Sequence, residues 1–308
     1  MSCLVYTHPS CLAHDPGPGH PESPSRLAAV LEALDDPRFA ALARNEAPRA
    51  TREQIARVHA QSLIGEVLDE SDTTGWRRLD PDTVMSPASA EAALRAAGGV
   101  CAAVDAVVAG EARRAFCAVR PPGHHATPNT AMGFCLFNSI AIGAAHAIAA
   151  HGLSRVAIVD FDVHHGNGTQ DIFWSDPRVL YASSHQWPLY PGTGARSETG
   201  AGNIVNAPLK PGAGSADFRA AYTDTVLPAL DAFAPELVMI SAGFDAHRLD
   251  PLANLNLDGD DYAWITARLA ELADKHARGR IVSSLEGGYS LTALRESVTA
   301  HVGALMSA

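Results

Sequence analysis

The chain has 308 residues, 47% hydrophobic and 19% charged, with a formal net charge of −11. This composition suits one large soluble core, and the acidic balance argues against nucleic acid as a direct partner. The five cysteines (Cys3, Cys11, Cys101, Cys117, Cys135) are odd in number and form no Cys-x-x-Cys pair, which argues against a thiolate metal site and for a reducing, cytoplasmic setting.

Residues 1–10 carry neither a basic region nor a long apolar core, so no signal peptide is expected. Residues 3–6 read as a first strand, followed by a loop rich in Gly, Pro and His over 9–24. Residues 26–34 should be helical and stop near Pro37, and 51–69 form two helices around a break at Val58 and His59. An Ala-rich helix is expected over 87–108, a strand over 115–119, a loop over 120–138 and a helix over 139–150. The apolar window 134–153 is broken by Asn138, Ser139, His146 and His151, so it reads as a buried helix and not a membrane span. Further short apolar strands fall at 156–159, 179–183, 237–241 and 281–285. Helices at 216–232, 260–275 and 291–306 separate or follow them. Strands alternating with helices predict an α/β fold, with a mainly parallel sheet covered by helices on both faces. No repeat or linker divides the chain, so a single domain over 1–308 is expected.

The stretch 156–174, VAIVDFDVHHGNGTQDIFW, organises the rest. Its β-branched opening reads as a strand buried on both faces. Asp160, Asp162 and His164 follow at alternate positions, which would aim all three one way if the extended conformation persists. Gly166 and Gly168 allow a sharp exit, and a helix is expected from Thr169. In parallel sheets ligands sit at the carboxyl ends of strands. Other strands end in similar chemistry. The strand at 115–119 leads to Arg120 and the tandem His124-His125, that at 179–183 to Ser184 and His185, that at 237–241 to Asp245, and that at 281–285 to Glu286, two glycines and Tyr289.

Each motif has a mundane reading. Asp-x-Asp after a strand is often a capping turn, tandem histidines often lie on the surface, and Gly-Gly turns are common. Their convergence favours a metal site. Asp162, His164 and Asp245 would supply three protein ligands and leave a position open, as catalytic zinc requires. Two carboxylates cancel the charge of Zn²⁺, so bound water needs help from protein groups. His124 and His125 can act as acid and base, with Asp160 and Asn167 fixing their tautomers. Tyr289 can donate to a polarised carbonyl.

The set resembles the histone deacetylase family of zinc amidohydrolases, most closely its class II and bacterial deacetylase-like members. The resemblance rests on HPESPSRL (20–27), RPPGHHATPNTAMGFCLFN (120–138), VDFDVHHGNGTQDIF (159–173), LYPGTG (189–194), SAGFDAH (241–247), DPL (250–252) and LEGGYSL (285–291), which span nearly the whole chain. It implies the arginase–deacetylase fold, with a mainly parallel sheet of about eight strands. It further implies zinc on Asp162, His164 and Asp245, His124 paired with Asp160, His125 paired with Asn167, and Tyr289 polarising the acyl carbonyl. His125 would be the general base, His124 chiefly electrostatic. Gly133, Phe134 and Tyr190 would line the acyl-lysine channel, and Arg26 would stand near an internal acetate-release cavity. The family commonly has Phe where Tyr190 stands. Asn167 replaces the Asp of class I members, and a neutral partner should lower the proton affinity of His125. A structural potassium site is implied on Asp160, backbone oxygens of Asp162, His164 and Ser184, and the Ser183 hydroxyl. A second monovalent-ion site would use backbone oxygens near Phe173, Asp176 and Val179.

The implied substrate is an acyl-lysine peptide or protein, or a small acylated amine, with no membrane partner; Fe²⁺ or Co²⁺ could occupy the same ligands as zinc. Acetylpolyamine hydrolysis is the main alternative. In a polyamine-selective relative the residue after the Asp-Pro at the channel mouth is Glu, whereas here it is Leu252, with Glu22 or Asp82 as possible substitutes at the rim. A two-manganese ureohydrolase is disfavoured by the mononuclear Asp-His-Asp set. A binding-only module would be expected to lose a ligand or the tyrosine.

Overall fold

The computed structural model describes residues 3–69 and 75–307. Its strands in chain order are β1 (Cys3–Thr7), β2 (Ala43–Glu46), β3 (Arg77–Arg78), β4 (Val84–Met85), β5 (Arg114–Cys117), β6 (Val156–Asp160), β7 (Val179–Gln186), β8 (Ile204–Leu209), β9 (Leu237–Ala242) and β10 (Ile281–Leu285). The α-helices are α1 (Pro9–Ala13), α2 (Pro24–Leu34), α3 (Arg52–Ile55), α4 (Gln61–Leu68), α5 (Ser89–Ala109), α6 (Ser139–His151), α7 (Asn167–Phe173), α8 (Ser215–Ala221), α9 (Leu227–Phe233), α10 (Gly259–His276) and α11 (Leu291–Ser307). Eight strands form one sheet in the order β2-β1-β5-β10-β9-β6-β7-β8, and every pairing in it is parallel. β3 and β4 make a separate antiparallel ribbon.

Register shows that helices cover both faces. Phe116, Ser283 and Ile240 stand level on β5, β10 and β9 and therefore share a face. His301 of α11 packs on Phe116, with ring centroids 5.7 Å apart, and its Nε2 lies 2.8 Å from Ser283 Oγ. Met239, one residue before Ile240, turns the other way and meets Gly143 of α6, where an added Cβ would come within 2.9 Å of its Cε. All residues of β5, β6, β7, β9 and β10 are buried, which is why these strands carry apolar runs without the alternation of a half-exposed strand. α5 is apolar and long enough to cross a bilayer by composition, but it packs on β1, β5, β10 and α6 with 67% of its most apolar window buried.

The structure adds elements to the sequence reading. β2 and β8 are the two edges of the sheet. β2 is exposed along its whole length, and β8 contains Pro208, which an edge tolerates because one side needs no N–H donor. α1 lies in the expected loop, with the His8 side chain accepting the Ser10 N–H at 3.1 Å. The helix expected over 216–232 forms, but a π-helical turn, Tyr222–Val226, interrupts it between α8 and α9. β7 runs on through Gln186, which keeps Ser184 and His185 in the strand. The five cysteines are free and buried.

Candidate active site and metal centre

Because the sheet is parallel, the carboxyl ends of β5, β6, β7, β9 and β10 face one edge, and the chemistry-bearing residues collect there. β6 stops at Asp160, and Asp162 to His164 is a bend. The extended geometry therefore does not persist, and strand alternation is not what aims these side chains. The bend sends Asp160 and Asp162 to different tasks.

Donor atoms of Asp162, His164 and Asp245 all lie within 4.8 Å of one another, and all three residues are buried. His164 Nδ1 stands 3.2 Å from Asp162 Oδ1 and 3.1 Å from Asp245 Oδ2. The backbone holds the carboxylates: Gly287 N donates to Asp162 Oδ2 at 2.8 Å, and Val163 N to Asp245 Oδ1 at 2.8 Å. Glycine is required at 287, where a Cβ would lie 2.1 Å from Asp245 Oδ2 and 2.6 Å from Asp162 Oδ2. Burial lowers the proton affinity of His164, but hydrogen bonds to both carboxylates outweigh this and hold its pKa up at about 10. Burial and the Asp162 charge push Asp245 up to about 7. Among the described residues neither carboxylate has a Lys or Arg ion pair. The only positive charge the cluster draws on among these side chains is a proton on His164, which a bound cation would displace.

The two histidines lie beside it, ring centroids 4.1 Å apart. His124 Nδ1 donates to Asp160 Oδ2 at 2.9 Å, an oxygen that also accepts the Tyr181 hydroxyl at 3.0 Å. His125 Nδ1 donates to Asn167 Oδ1 at 2.8 Å, leaving its Nε2 lone pair free. Their environments push them apart. Burial disfavours the charged form of His124, yet Asp160 and Asp162 raise its pKa well above the usual value. His125 is driven well below by burial, with the neighbouring charges of His124 and His164 adding to the effect. Divergent affinities in adjacent groups are what acid–base division requires.

The residues expected to line an acyl-lysine channel also lie near the cluster. Tyr190 is partly exposed, with its ring 5.1 Å from His125 and 6.3 Å from His164. Phe134 lies 5.8 Å from Tyr289, edge to face. Gly133 (φ 57°) and Phe134 (φ 68°) both take the left-handed conformation. That is unfavourable for Phe, and two side-chain acceptors support it: Asp82 Oδ1 takes the Gly133 N–H at 3.1 Å and Thr83 Oγ1 the Phe134 N–H at 3.0 Å. Arg26 is fully buried, lies 4.8 Å from the Tyr289 ring centroid, and donates to the carbonyls of Gly288 and Glu286 at 2.6 and 2.5 Å. Leu252 is half-buried, and its N–H is held by Asp250 Oδ1 at 3.0 Å. Ser183 Oγ lies 2.9 Å from His185 Nδ1, and Ser184 Oγ 3.1 Å from the Tyr222 hydroxyl.

Some contributors went unrecognised in the sequence. Glu286 Oε2 accepts the N–H groups of Gly123 and His124 at 2.6 and 3.2 Å, fixing the histidine loop to the end of β10. Its place directly before Gly-Gly-Tyr was the available signal. Glu22 is not at the rim: it is fully buried, ion-paired to Arg26 at 2.8 Å and to Arg120. Asp82 remains half-buried beside Gly133.

A parallel eight-stranded sheet carrying such a cluster at its carboxyl edge is the arginase–deacetylase fold. The histone deacetylase domain matches residues 20–305, and the chain belongs to the histone deacetylase family. It is 42% identical to the histone deacetylase-like amidohydrolase of Pseudomonas aeruginosa over 278 residues, 88% of this chain and 73% of that protein. The probable deacetylase of Archaeoglobus fulgidus is 40% identical over 93% of this chain and 81% of its own length. Histone deacetylase 14, chloroplastic, of Arabidopsis thaliana is 38% identical over 98% and 76%. The crystal structure of the HDA15 HD domain superposes with a TM-score of 0.94 at 37% identity, covering 99% of this chain and 88% of that one.

Proposed function

We propose that the chain is a zinc-dependent hydrolase that removes acetyl or other short acyl groups from the ε-amine of lysine in peptides or proteins. The observation that carries this reading is the buried Asp162–His164–Asp245 cluster, with donor atoms within 4.8 Å, beside a histidine whose Nε2 is free. Two carboxylates without a Lys or Arg partner among the described residues, plus one imidazole, fit a divalent ion with an open position. Zn²⁺ held there would polarise the acyl carbonyl and favour deprotonation of water. His125 Nε2 takes the proton of the attacking water and passes it to the leaving amine. His124, kept cationic by Asp160, stabilises the negative charge that develops at the reacting centre, and the Tyr289 hydroxyl donates to the carbonyl oxygen. The products are the free amine and a short carboxylate.

A structural potassium ion is part of the same reading. His185 Nε2 faces the Gly194 carbonyl at 2.9 Å and must donate to it, so its Nδ1 accepts the Ser183 hydroxyl proton. The Ser183 oxygen then keeps lone pairs for a cation, in company with Asp160 and the carbonyls of Asp162, His164 and Ser184.

Leu252 supports lysine over polyamine. An uncharged residue there gives a distal ammonium no partner, while it can pack on the lysine stem, and the burial of Glu22 removes one replacement carboxylate. The test is the ratio of kcat/KM on an acetyl-lysine tripeptide to that on N-acetylputrescine at equal metal loading. A ratio above one is expected; a ratio well below one establishes the polyamine reading instead, and no turnover of either substrate removes both.

A further inference from the structure

The second monovalent-ion site implied by the family resemblance has an occupant from within the chain. Beyond the end of α7 the backbone makes two successive turns, in which Asp176 N donates to Phe173 O at 3.1 Å and Val179 N to Asp176 O at 3.1 Å. These turns aim the carbonyls of Phe173, Asp176 and Val179 at one point. The amide nitrogen of Asn203 fills that point, donating to the three oxygens at 2.8, 3.1 and 2.8 Å.

The orientation of this amide is determined. Asn203 Oδ1 accepts the Ala201 N–H at 3.0 Å, so a flip would set Oδ1 against three carbonyl oxygens and Nδ2 against an N–H. The residue is 4% exposed, and its own carbonyl accepts from Tyr181 N at 2.9 Å, which ties it to β7. An ion coordinated by these carbonyls would need the position that Nδ2 holds. The NH₂ end of the amide carries partial positive charge and two protons, and being covalently attached it needs no ion from solution to satisfy the buried acceptors.

We infer that Asn203 is a built-in replacement for the second monovalent cation, so that the corner between α7 and β7 assembles without one. Monovalent-ion dependence of this protein is then confined to the neighbourhood of Asp160 and Ser183.

Two measurements test this, and neither depends on catalysis. Crystals soaked in a thallium salt are examined for anomalous density at the point ringed by Phe173, Asp176 and Val179. None is expected in the wild type, and a peak there with the Asn203 side chain displaced would overturn the proposal. Asn203→Asp keeps the shape but sets a fourth oxygen against three carbonyls. Its Tm should fall by several degrees in choline chloride and recover in KCl at equal ionic strength, with a thallium peak appearing at that point. The wild type in the same two salts gives the contribution of any other ion site. A salt response of Asn203→Asp equal to that of the wild type would refute the inference. If Asn203→Asp does not fold, Asn203→Ala serves, with a KCl-dependent gain in Tm beyond the wild type expected and its absence counting against the idea.

Discussion

Asp250 holds the backbone of Tyr289: its Oδ2 accepts the Tyr289 N–H at 2.7 Å, while its Oδ1 accepts the Leu252 N–H at 3.0 Å. One buried carboxylate thus sets the position of the proposed carbonyl donor and of the proposed gate residue. Asp250→Ala should lower kcat by on the order of 10–100-fold, the usual cost of a small misplacement of a catalytic group. Metal content should be unchanged, and Asp250→Asn, which keeps one acceptor oxygen, should retain part of the activity. Unaltered kcat in Asp250→Ala would show that Tyr289 is positioned by other means.

Tyr289→Phe removes the hydroxyl and leaves the ring against Phe134 and Arg26. The expected loss in kcat is on the order of 10²–10³, as for deleting one oxyanion donor. Steady-state kinetics on acetyl-lysine and trifluoroacetyl-lysine peptides separates the role from a packing defect, since the activated carbonyl should suffer less. Equal losses on the two substrates would argue against carbonyl polarisation.

Asp245→Ala should abolish activity and metal retention together, because it deletes a proposed charged ligand and leaves His164 with one carboxylate. Metal analysis after dialysis gives the direct reading. In the wild type, added Zn²⁺ should raise Tm in a concentration-dependent way, and in Asp245→Ala this gain should be largely lost. Full metal occupancy with wild-type turnover in Asp245→Ala would end the ligand assignment.

Leu252→Glu should move selectivity towards acetylpolyamines, by ~1–3 kcal/mol if the new charge pair is well desolvated. The measurement is the change in the kcat/KM ratio between the tripeptide and N-acetylputrescine. An unchanged ratio would mean that residue 252 does not meet the distal part of the substrate.

His59 supplies a pH test away from the metal. Its Nδ1 donates to Thr127 O at 2.9 Å and its Nε2 accepts the Asn138 N–H at 2.9 Å, so the ring must be neutral to bridge the middle of the loop between β5 and α6 to its end. Burial lowers its pKa from the ordinary histidine value of 6.5 to about 4. Between those values the unfolded chain binds a proton that the folded chain refuses. The contribution is therefore complete above pH 6.5 and lost as pH falls towards 4, at up to about 1.4 kcal/mol per pH unit. Urea unfolding of wild type and His59→Gln at pH 7, 6 and 5 should show the variant less stable at pH 7 but with a shallower acid slope. Identical slopes would remove His59 from the acid response.

The central strands were legible in the sequence because burial on both faces forces an unbroken apolar run, as in Val156-Ala157-Ile158-Val159 of β6. The residue types at their ends pointed to one sheet edge as the place where polar and titratable groups collect, since parallel strands present all their carboxyl ends together. Edge strands escaped notice for the complementary reason: β2 is Ala-Arg-Asn-Glu and exposed, and it is a strand only because β1 offers it unpaired backbone groups. Residue types and the family resemblance pointed to which carboxylate does what, but the physical cause of that division lies in the tertiary structure. Asp160 and Asp162 are two residues apart and chemically identical, yet the bend after β6 gives Asp160 to His124 and Tyr181, and Asp162 to His164 and the Gly287 N–H. The same holds for Glu22, which beside its local partner Arg26 meets the distant Arg120, and for Asn203, which reaches back to Phe173, Asp176 and Val179. Residue type determines which interactions a side chain can make, but a buried polar group takes the partners that the packed chain brings within hydrogen-bond reach, and that choice exists only once the sheet has closed.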